Sequence, residues 1–143
     1  MFARILVVDD EPDMLDLIAF NLREAGCRVF TADNGRDGLR HAQRTLPDLI
    51  LLDVMLPDMD GFSVCELLRK LPSTASIPVV MVTAIGGEMA RAHGLGSGAI
   101  DFVRKPFEMA NLIERIEHTL AHHVPSPPSH DPDDDYYYVK SIE

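Results

Sequence analysis

The sequence predicts an α/β fold, a doubly wound five-stranded parallel sheet with five helices. Two observations carry that expectation. Five short apolar runs have strand length and β-branched or aromatic character, and amphipathic stretches of helical length alternate with them. Regular alternation of strand and helix implies parallel strands joined by right-handed crossovers, with helices covering both faces. At 143 residues and 46% hydrophobic composition, the chain has material for one ordinary core.

The elements follow in order. "RILVV" (4–8) is the first strand. The first helix spans about 12–25; Pro12 stands in its opening turn, Gly26 lies past its end, and Met14, Leu15, Ile18 and Leu22 form one apolar stripe. "CRVFTA" (27–32) is the second strand and 35–46 the second helix. "LILL" (49–52) is apolar throughout, as expected of a strand buried on both faces. A carboxylate within such a strand would carry a heavy desolvation cost, so Asp53 belongs where the strand emerges. Helix three covers 61–71, strand four is "VVMV" (79–82), helix four covers 87–95, strand five is "IDFV" (100–103) and helix five covers 107–122. Helix four carries Gly94 and is surrounded by Gly86, Gly87, Gly96 and Gly98, and a glycine inside a helix costs roughly 1 kcal/mol relative to alanine. It should be short and poorly determined. Mobility suited to an output surface and simple loop tolerance both account for this.

Charge and composition exclude several classes. The formal net charge is −10; five acids against Lys140 in 124–143 leave both that tail and the remainder negative. Nucleic-acid binding through a basic face is disfavoured, because such proteins need lysines and arginines to neutralise phosphates. No apolar run approaches the roughly 20 residues of a membrane helix, and "MFARILVVDDEP" turns acidic too early for a signal peptide, which points to the cytoplasm. Cys27 and Cys65 lack the spacing of a metal knuckle or redox pair and read as buried free thiols.

In doubly wound sheets the functional site lies outside the carboxyl ends of the strands. Asp9, Asp10 and Glu11 follow strand one, Asp53 follows strand three, Thr83 strand four and Lys105 strand five. Asp33, Asn34 and Asp60 read as solvated loop residues or caps of the next helix. Asp9, Asp10 and Asp53 are different: parallel strands bring all three carboxylates to one crevice, where they would repel. A hard divalent cation would remove that repulsion, and Mg²⁺ favours one or two carboxylates together with waters and a phosphoryl oxygen. The lysine and threonine would supply a point charge and a hydroxyl donor to such a phosphoryl group. Asp53 can then be the nucleophile of an aspartyl-phosphate chemistry.

The motifs "LVVDDEP", "PDLILLDVMLPDMDGF", "PVVMVTA" and "GSGAIDFVRKPF" resemble the receiver domain of bacterial two-component response regulators, over residues 3 to about 122 in one register. The resemblance implies the flavodoxin-like, CheY-like strand order 2-1-3-4-5 and a receiver domain over 1–123. It makes Asp53 the phosphoacceptor, charged by the phosphohistidine of a sensor kinase or phosphotransfer protein. It makes Asp10, Asp53 and the backbone carbonyl of Met55 ligands of Mg²⁺, or of Mn²⁺ in its place, with Asp9 acting through a metal-bound water. Lys105 would pair with the phosphoryl group, its bond to Pro106 being cis, and Thr83 would hydrogen-bond it. Small Ala84 would leave room for the donor. Phe102 would be the switch aromatic, turning inward as Thr83 moves toward the phosphoryl group. The surface of helix four, strand five and helix five would then change its affinity for an output protein or a second copy. Such a chain is a signalling protein and not an enzyme in the usual sense.

Two other classes are weaker. A haloacid-dehalogenase-type phosphatase needs a second aspartate two residues beyond the nucleophile, where Met55 stands. A flavodoxin-like electron carrier needs a hydroxyl- and glycine-rich phosphate loop where this chain has "DDEPD". His118 and His122, one turn apart, read as a solvated face of helix five and not as a metal site. The tail 124–143 changes composition abruptly: residues 124–135 read as disordered, and Tyr136 to Val139 as an anchor, with Asp133 to Asp135 near Arg91, Arg104 or Arg115. With no output domain following, the chain reads either as a stand-alone receiver or as part of a longer regulator.

Overall fold

The computed structural model describes residues 1–123, and the expectations for 124–143 lie outside the described residues. The chain runs β1 (Arg4–Val8), α1 (Pro12–Glu24), β2 (Arg28–Ala32), α2 (Gly35–Thr45), β3 (Leu49–Leu52), α3 (Gly61–Lys70), β4 (Val79–Thr83), α4 (Glu88–Gly96), β5 (Asp101–Arg104) and α5 (Met109–His122). Every strand pair is parallel, and the sheet order is β2-β1-β3-β4-β5, as expected.

Strand pleating sorts the core into two layers. In β3, Leu49 and Leu51 pack with Ile18 and Leu22 of α1 and Leu112 and Ile116 of α5. Ile50 and Leu52 point the other way, toward Leu39 of α2 and Val64 and Leu68 of α3. All four β3 side chains are buried, each stabilising the fold by about 1.5–3 kcal/mol relative to an exposed leucine or isoleucine. The stripe of α1 docks as predicted through Ile18 and Leu22, with Met14 and Leu15 at its margin. Beyond α1, Gly26 takes φ +95°, a left-handed conformation that glycine adopts at little cost, and turns the chain into β2.

Some boundaries shift. β4 extends through Thr83, one residue further than its apolar run, because register pairing with β5 continues to Thr83 and Arg104. α5 begins at Met109 and not at 107: its first-turn N–H groups, those of Asn111 and Leu112, donate to the Glu108 carbonyl, and Phe107 instead packs against the core. α4 is the shortest of the described helices, nine residues, and starts after Gly87 without a side-chain cap. Cys27 and Cys65 are free and buried, and burial pushes both thiols above their ordinary pKa. Among the described residues no helix is long and apolar enough to cross a membrane.

The strand order reverses at β1, which has β2 on one side and β3 on the other, and a crevice opens there at the carboxyl ends of the strands. Asp9 follows β1 directly and Asp53 follows β3 directly.

Candidate functional site

Asp53 stands at the end of β3, as expected, yet it is not solvated: it is 3% exposed, and Asp9 is 2% exposed. What makes this tolerable is Lys105, itself buried just beyond β5. Its Nζ donates to Asp9 Oδ2 at 2.7 Å and to Asp53 Oδ2 at 2.9 Å, with exposed Glu11 at 3.4 Å. A buried charge needs both a counter-charge and hydrogen bonds, and one ammonium provides them to two carboxylates. Burial raises the Asp9 carboxyl above the ordinary range; the bond from Lys105 and the Glu11 N–H oppose that rise without cancelling it. Burial also works against the Lys105 ammonium, but its bonds to Asp9 and Asp53 and the charges of both outweigh this and hold it above the usual lysine range.

The same local device recurs at three strand ends. The Glu11 N–H donates to Asp9 Oδ1 (2.9 Å), the Met55 N–H to Asp53 Oδ1 (3.1 Å) and the Ile85 N–H to Thr83 Oγ1 (3.3 Å). In each, a short polar side chain accepts from the backbone two residues on, a turn that aspartate and threonine form readily. Each turn holds its side chain over the crevice as the chain leaves the sheet. Thr83 is fully buried, and its carbonyl accepts the Lys105 N–H at 2.9 Å, tying β5's exit to β4's. The Lys105–Pro106 bond is cis, as expected.

The loop after β3 is held from two directions. Gly61, at the start of α3, donates its N–H to the Val54 carbonyl at 2.8 Å. A Cβ there would stand 2.2 Å from the Asp53 carbonyl oxygen, so only glycine permits this approach. Asp58 accepts the N–H groups of Gly35 (2.8 Å) and Arg36 (2.9 Å), capping α2 from a different segment. Its carboxyl lies below the ordinary range: partial burial works to raise it, but these and neighbouring backbone donors prevail. Asn34 and Asp60 are the caps expected of them, accepting the N–H groups of Asp37 and Ser63.

One ligand oxygen each from Asp9, Asp10 and Asp53 lies within 4.8 Å of the others, with Asp10 exposed at the mouth. Three carboxylate oxygens at this spacing, one open to solvent, suit a hard cation that retains waters. Lys105 is therefore more than a partner for an incoming group, because it already answers part of the carboxylate repulsion. Of the residues beside the site, the expected Ala84 and Met55 are exposed and Ile85 is half-buried. Phe102 is already buried, at 5% exposure, its ring edge lying where a side chain on Gly94 of α4 would be. His118 and His122 are exposed and stacked at 4.2 Å, with His122 Nδ1 2.8 Å from the His118 carbonyl oxygen, an arrangement internal to α5.

Sequence reasoning had no role for Glu11, Asp58 or Gly61. The position of Glu11 after strand one was visible. Nothing local signals Asp58, whose partners lie 22 and 23 residues away, or Gly61, whose constraint is a backbone from another element.

The family model of the response regulator receiver domain matches residues 5–117. The chain is 44% identical over 117 residues to the DNA-binding dual master transcriptional regulator RpaA of Synechocystis, covering 82% of this chain and 48% of that one. It is 48% identical over 116 residues to the response regulator PleD of Caulobacter vibrioides, covering 81% of this chain and 26% of that one. Among solved structures, a CheY-like response regulator receiver domain protein from Methanospirillum hungatei superposes with a TM-score of 0.81 at 30% identity, over 86% of this chain and 97% of that one. The chain thus spans about half and a quarter of the lengths of the two curated relatives.

Proposed function

The chain belongs to the response regulator receiver domain family and is a two-component signalling switch, and from that membership we propose that Asp53 is its phosphoacceptor. One observation carries the proposal: a single ammonium, Lys105 Nζ, bridges two buried carboxylates at the ends of β1 and β3, with exposed Asp10 beside them. An isolated buried carboxylate would be a liability to the fold, and this constellation has the parts that phosphoryl transfer requires.

In the proposed reaction a carboxylate oxygen of Asp53 attacks the phosphorus of a phosphohistidine on a sensor kinase. The P–O bond forms as the P–N bond breaks, and the electron pair returns to the imidazole. Asp9, Asp10, Asp53 and the Met55 carbonyl would hold Mg²⁺, or Mn²⁺, which supplies positive charge to the phosphoryl oxygens. Lys105 Nζ, already 2.9 Å from Asp53, is placed to take up a phosphoryl oxygen once that carboxylate is phosphorylated. The Thr83 hydroxyl offers a further donor from the neighbouring strand end. Exposed Ala84 leaves the approach open. The chain would accept its own modification in the cytoplasm without turning over an external substrate.

Output through α4, β5 and α5 is supported by exposed apolar side chains there: Met89 and Leu95 on α4, and Ile100 just before β5. An output protein or a second copy would bind this surface, with Phe102 beneath α4 as the element that responds.

Treatment with a small phosphodonor, with and without Mg²⁺, followed by intact-mass measurement tests the reading. The wild-type protein should gain one acid-labile phosphoryl group only with the metal, Asp53→Asn none, and Asp10→Ala far less. Uptake by Asp53→Asn at the wild-type rate would show the acceptor to be elsewhere.

A further inference from the structure

β2 is one edge of the sheet and β5 the other, and the two edges are finished differently. An edge strand offers its unpaired backbone N–H and C=O groups to a further strand unless side chains cover them. At β5 they are covered. The Phe102 N–H donates to Asp101 Oδ1 at 2.8 Å, and Arg115 holds that carboxylate with bonds of 2.8 and 2.7 Å. Arg91 donates to the Phe102 carbonyl at 3.4 Å.

β2 is open toward its carboxyl end. The Arg28 N–H donates to the Ala3 carbonyl and the Ala32 carbonyl accepts the Asp9 N–H, so Arg28, Phe30 and Ala32 turn their backbone groups toward β1. By alternation, Val29 and Thr31 turn theirs outward. Arg23, in the last turn of α1, donates from Nη2 to the Val29 carbonyl at 3.3 Å. Among the described residues nothing does the same for Thr31. The gap between α1 and α2 is open at that point: a groove of about 240 Å³ is lined by Leu15 of α1, Asp37 and His41 of α2, and Thr31, Ala32 and Asp33 between them. The backbone is still extended at Asn34, with φ −154° and ψ 165°.

Charge decides what fits this edge. Its start is basic, with Arg23 and Arg28 exposed, and its end is acidic, with Asp33 exposed. A strand laid antiparallel along it needs acid where β2 is basic and base where β2 is acidic, and a copy of β2 itself meets both needs. Centred on Thr31, the pair sets Thr31 opposite Thr31, exchanging both N–H···O=C bonds, and Val29 opposite Asp33. Arg23, held at Val29, then faces the carboxylate of Asp33 of the second copy at each end. Such a two-fold contact is self-complementary and closes at two copies.

We infer that the β2 edge joins a second copy of this chain, antiparallel about Thr31, continuing the sheet across the dimer. The contact lies at the opposite edge from β5 and does not depend on the identity of the phosphoacceptor. Sedimentation velocity and amide hydrogen exchange on the full chain test it. Over a roughly hundredfold range of concentration the wild type should pass from monomer to dimer, and exchange of the Thr31 amide should slow in step. Thr31→Pro removes an N–H that faces away from β1, where an edge strand tolerates proline, and should weaken dimerisation roughly tenfold or more as two inter-strand bonds are lost. Arg23→Glu and Asp33→Lys each set like charges together at both ends and should each weaken it several-fold. Mixed in equal amounts, these two variants should recover the dimer as a heterodimer with both charge pairs restored. That recovery decides the matter even if the proline variant fails to fold. A wild type that stays monomeric across the range overturns the inference, and so does a dimer that Thr31→Pro leaves untouched or that the mixture does not recover.

Discussion

Lys105 carries the electrostatics of the site, because Asp9 and Asp53 are both buried against it. Lys105→Met removes the counter-charge from two carboxylates and should cost about 3–5 kcal/mol at neutral pH, as breaking buried pairs does. The pH dependence is informative as well. Asp9's carboxyl is raised by burial above 3.8, so its contribution to stability is present below that value and is lost as pH rises through the raised one. In the variant the opposing effect of Lys105 is gone, and this loss should extend to higher pH. The wild-type lysine, raised above 10.5, contributes fully below that value and loses its contribution as pH climbs past its folded pKa, an alkaline limb the variant should lack. Urea midpoints in EDTA from about pH 4 to about pH 11 follow the acid limb and the onset of the alkaline one; parallel curves would mean that Lys105 does not govern the pair.

At the scale of elements, two contacts join helices to the site and each makes a prediction. Asp58 caps α2 across the β3–α3 loop, and because it is exposed Asp58→Ala should cost only about 0.5–1 kcal/mol, the lower range for such caps. Its folded pKa is lowered, so its contribution is present above 3.8 and is lost as pH falls through the lowered value. Wild type and variant should therefore converge in strong acid, and a constant gap in acid-titrated melting curves would refute the capping role. The second contact is α4 over Phe102. A Cβ on Gly94 would stand 2.9 Å from the Phe102 ring, whereas one on Gly96 would meet nothing within 4 Å. Gly96→Ala should stabilise by up to about 1 kcal/mol through helix propensity alone. Gly94→Ala has the same intrinsic gain but must push the ring aside, at a cost of about 1–3 kcal/mol. Melting temperatures and the ring proton shifts of Phe102 separate the two, and equal stabilisation by both would show that the ring yields freely.

For the whole molecule, the lifetime of the proposed phosphorylated state should be set by how water reaches a site built from four strand ends. The Met55 and Ile85 N–H groups bind back onto Asp53 and Thr83, and the resemblance to the receiver family puts these two residues on either side of the mouth. Met55 is 57% exposed and Ile85 packs on the core, and neither offers a group that could orient an attacking water. Met55→Asn combined with Ile85→Glu should accelerate loss of phosphate from purified protein several-fold while leaving its Mg²⁺ requirement intact. Decay followed by intact mass checks this, and an unchanged rate would detach lifetime from mouth polarity.

Much of this was legible in the amino-acid order because its causes are local. An all-apolar β3, the Pro12 and Gly26 bounds of α1, and strand–helix alternation dictate a parallel sheet, and such a sheet necessarily gathers Asp9, Asp53, Thr83 and Lys105 at one edge. The burial of Asp53 was not legible, nor was the bridging of two carboxylates by one lysine. Those contacts join residues 96 and 52 positions apart, and whether a strand-end acid meets water or an ammonium depends on how the β5 exit packs over the crevice. Asp58 and Gly61 were hidden for the same reason, since their partners belong to other elements. The order of residues by itself determined which chemical groups face the crevice, because the pleat repeats every two residues and every crossover between parallel strands has the same hand. Only the tertiary structure decided which groups pair there, because a buried charge takes its partner from whatever segment packing brings within about 3 Å.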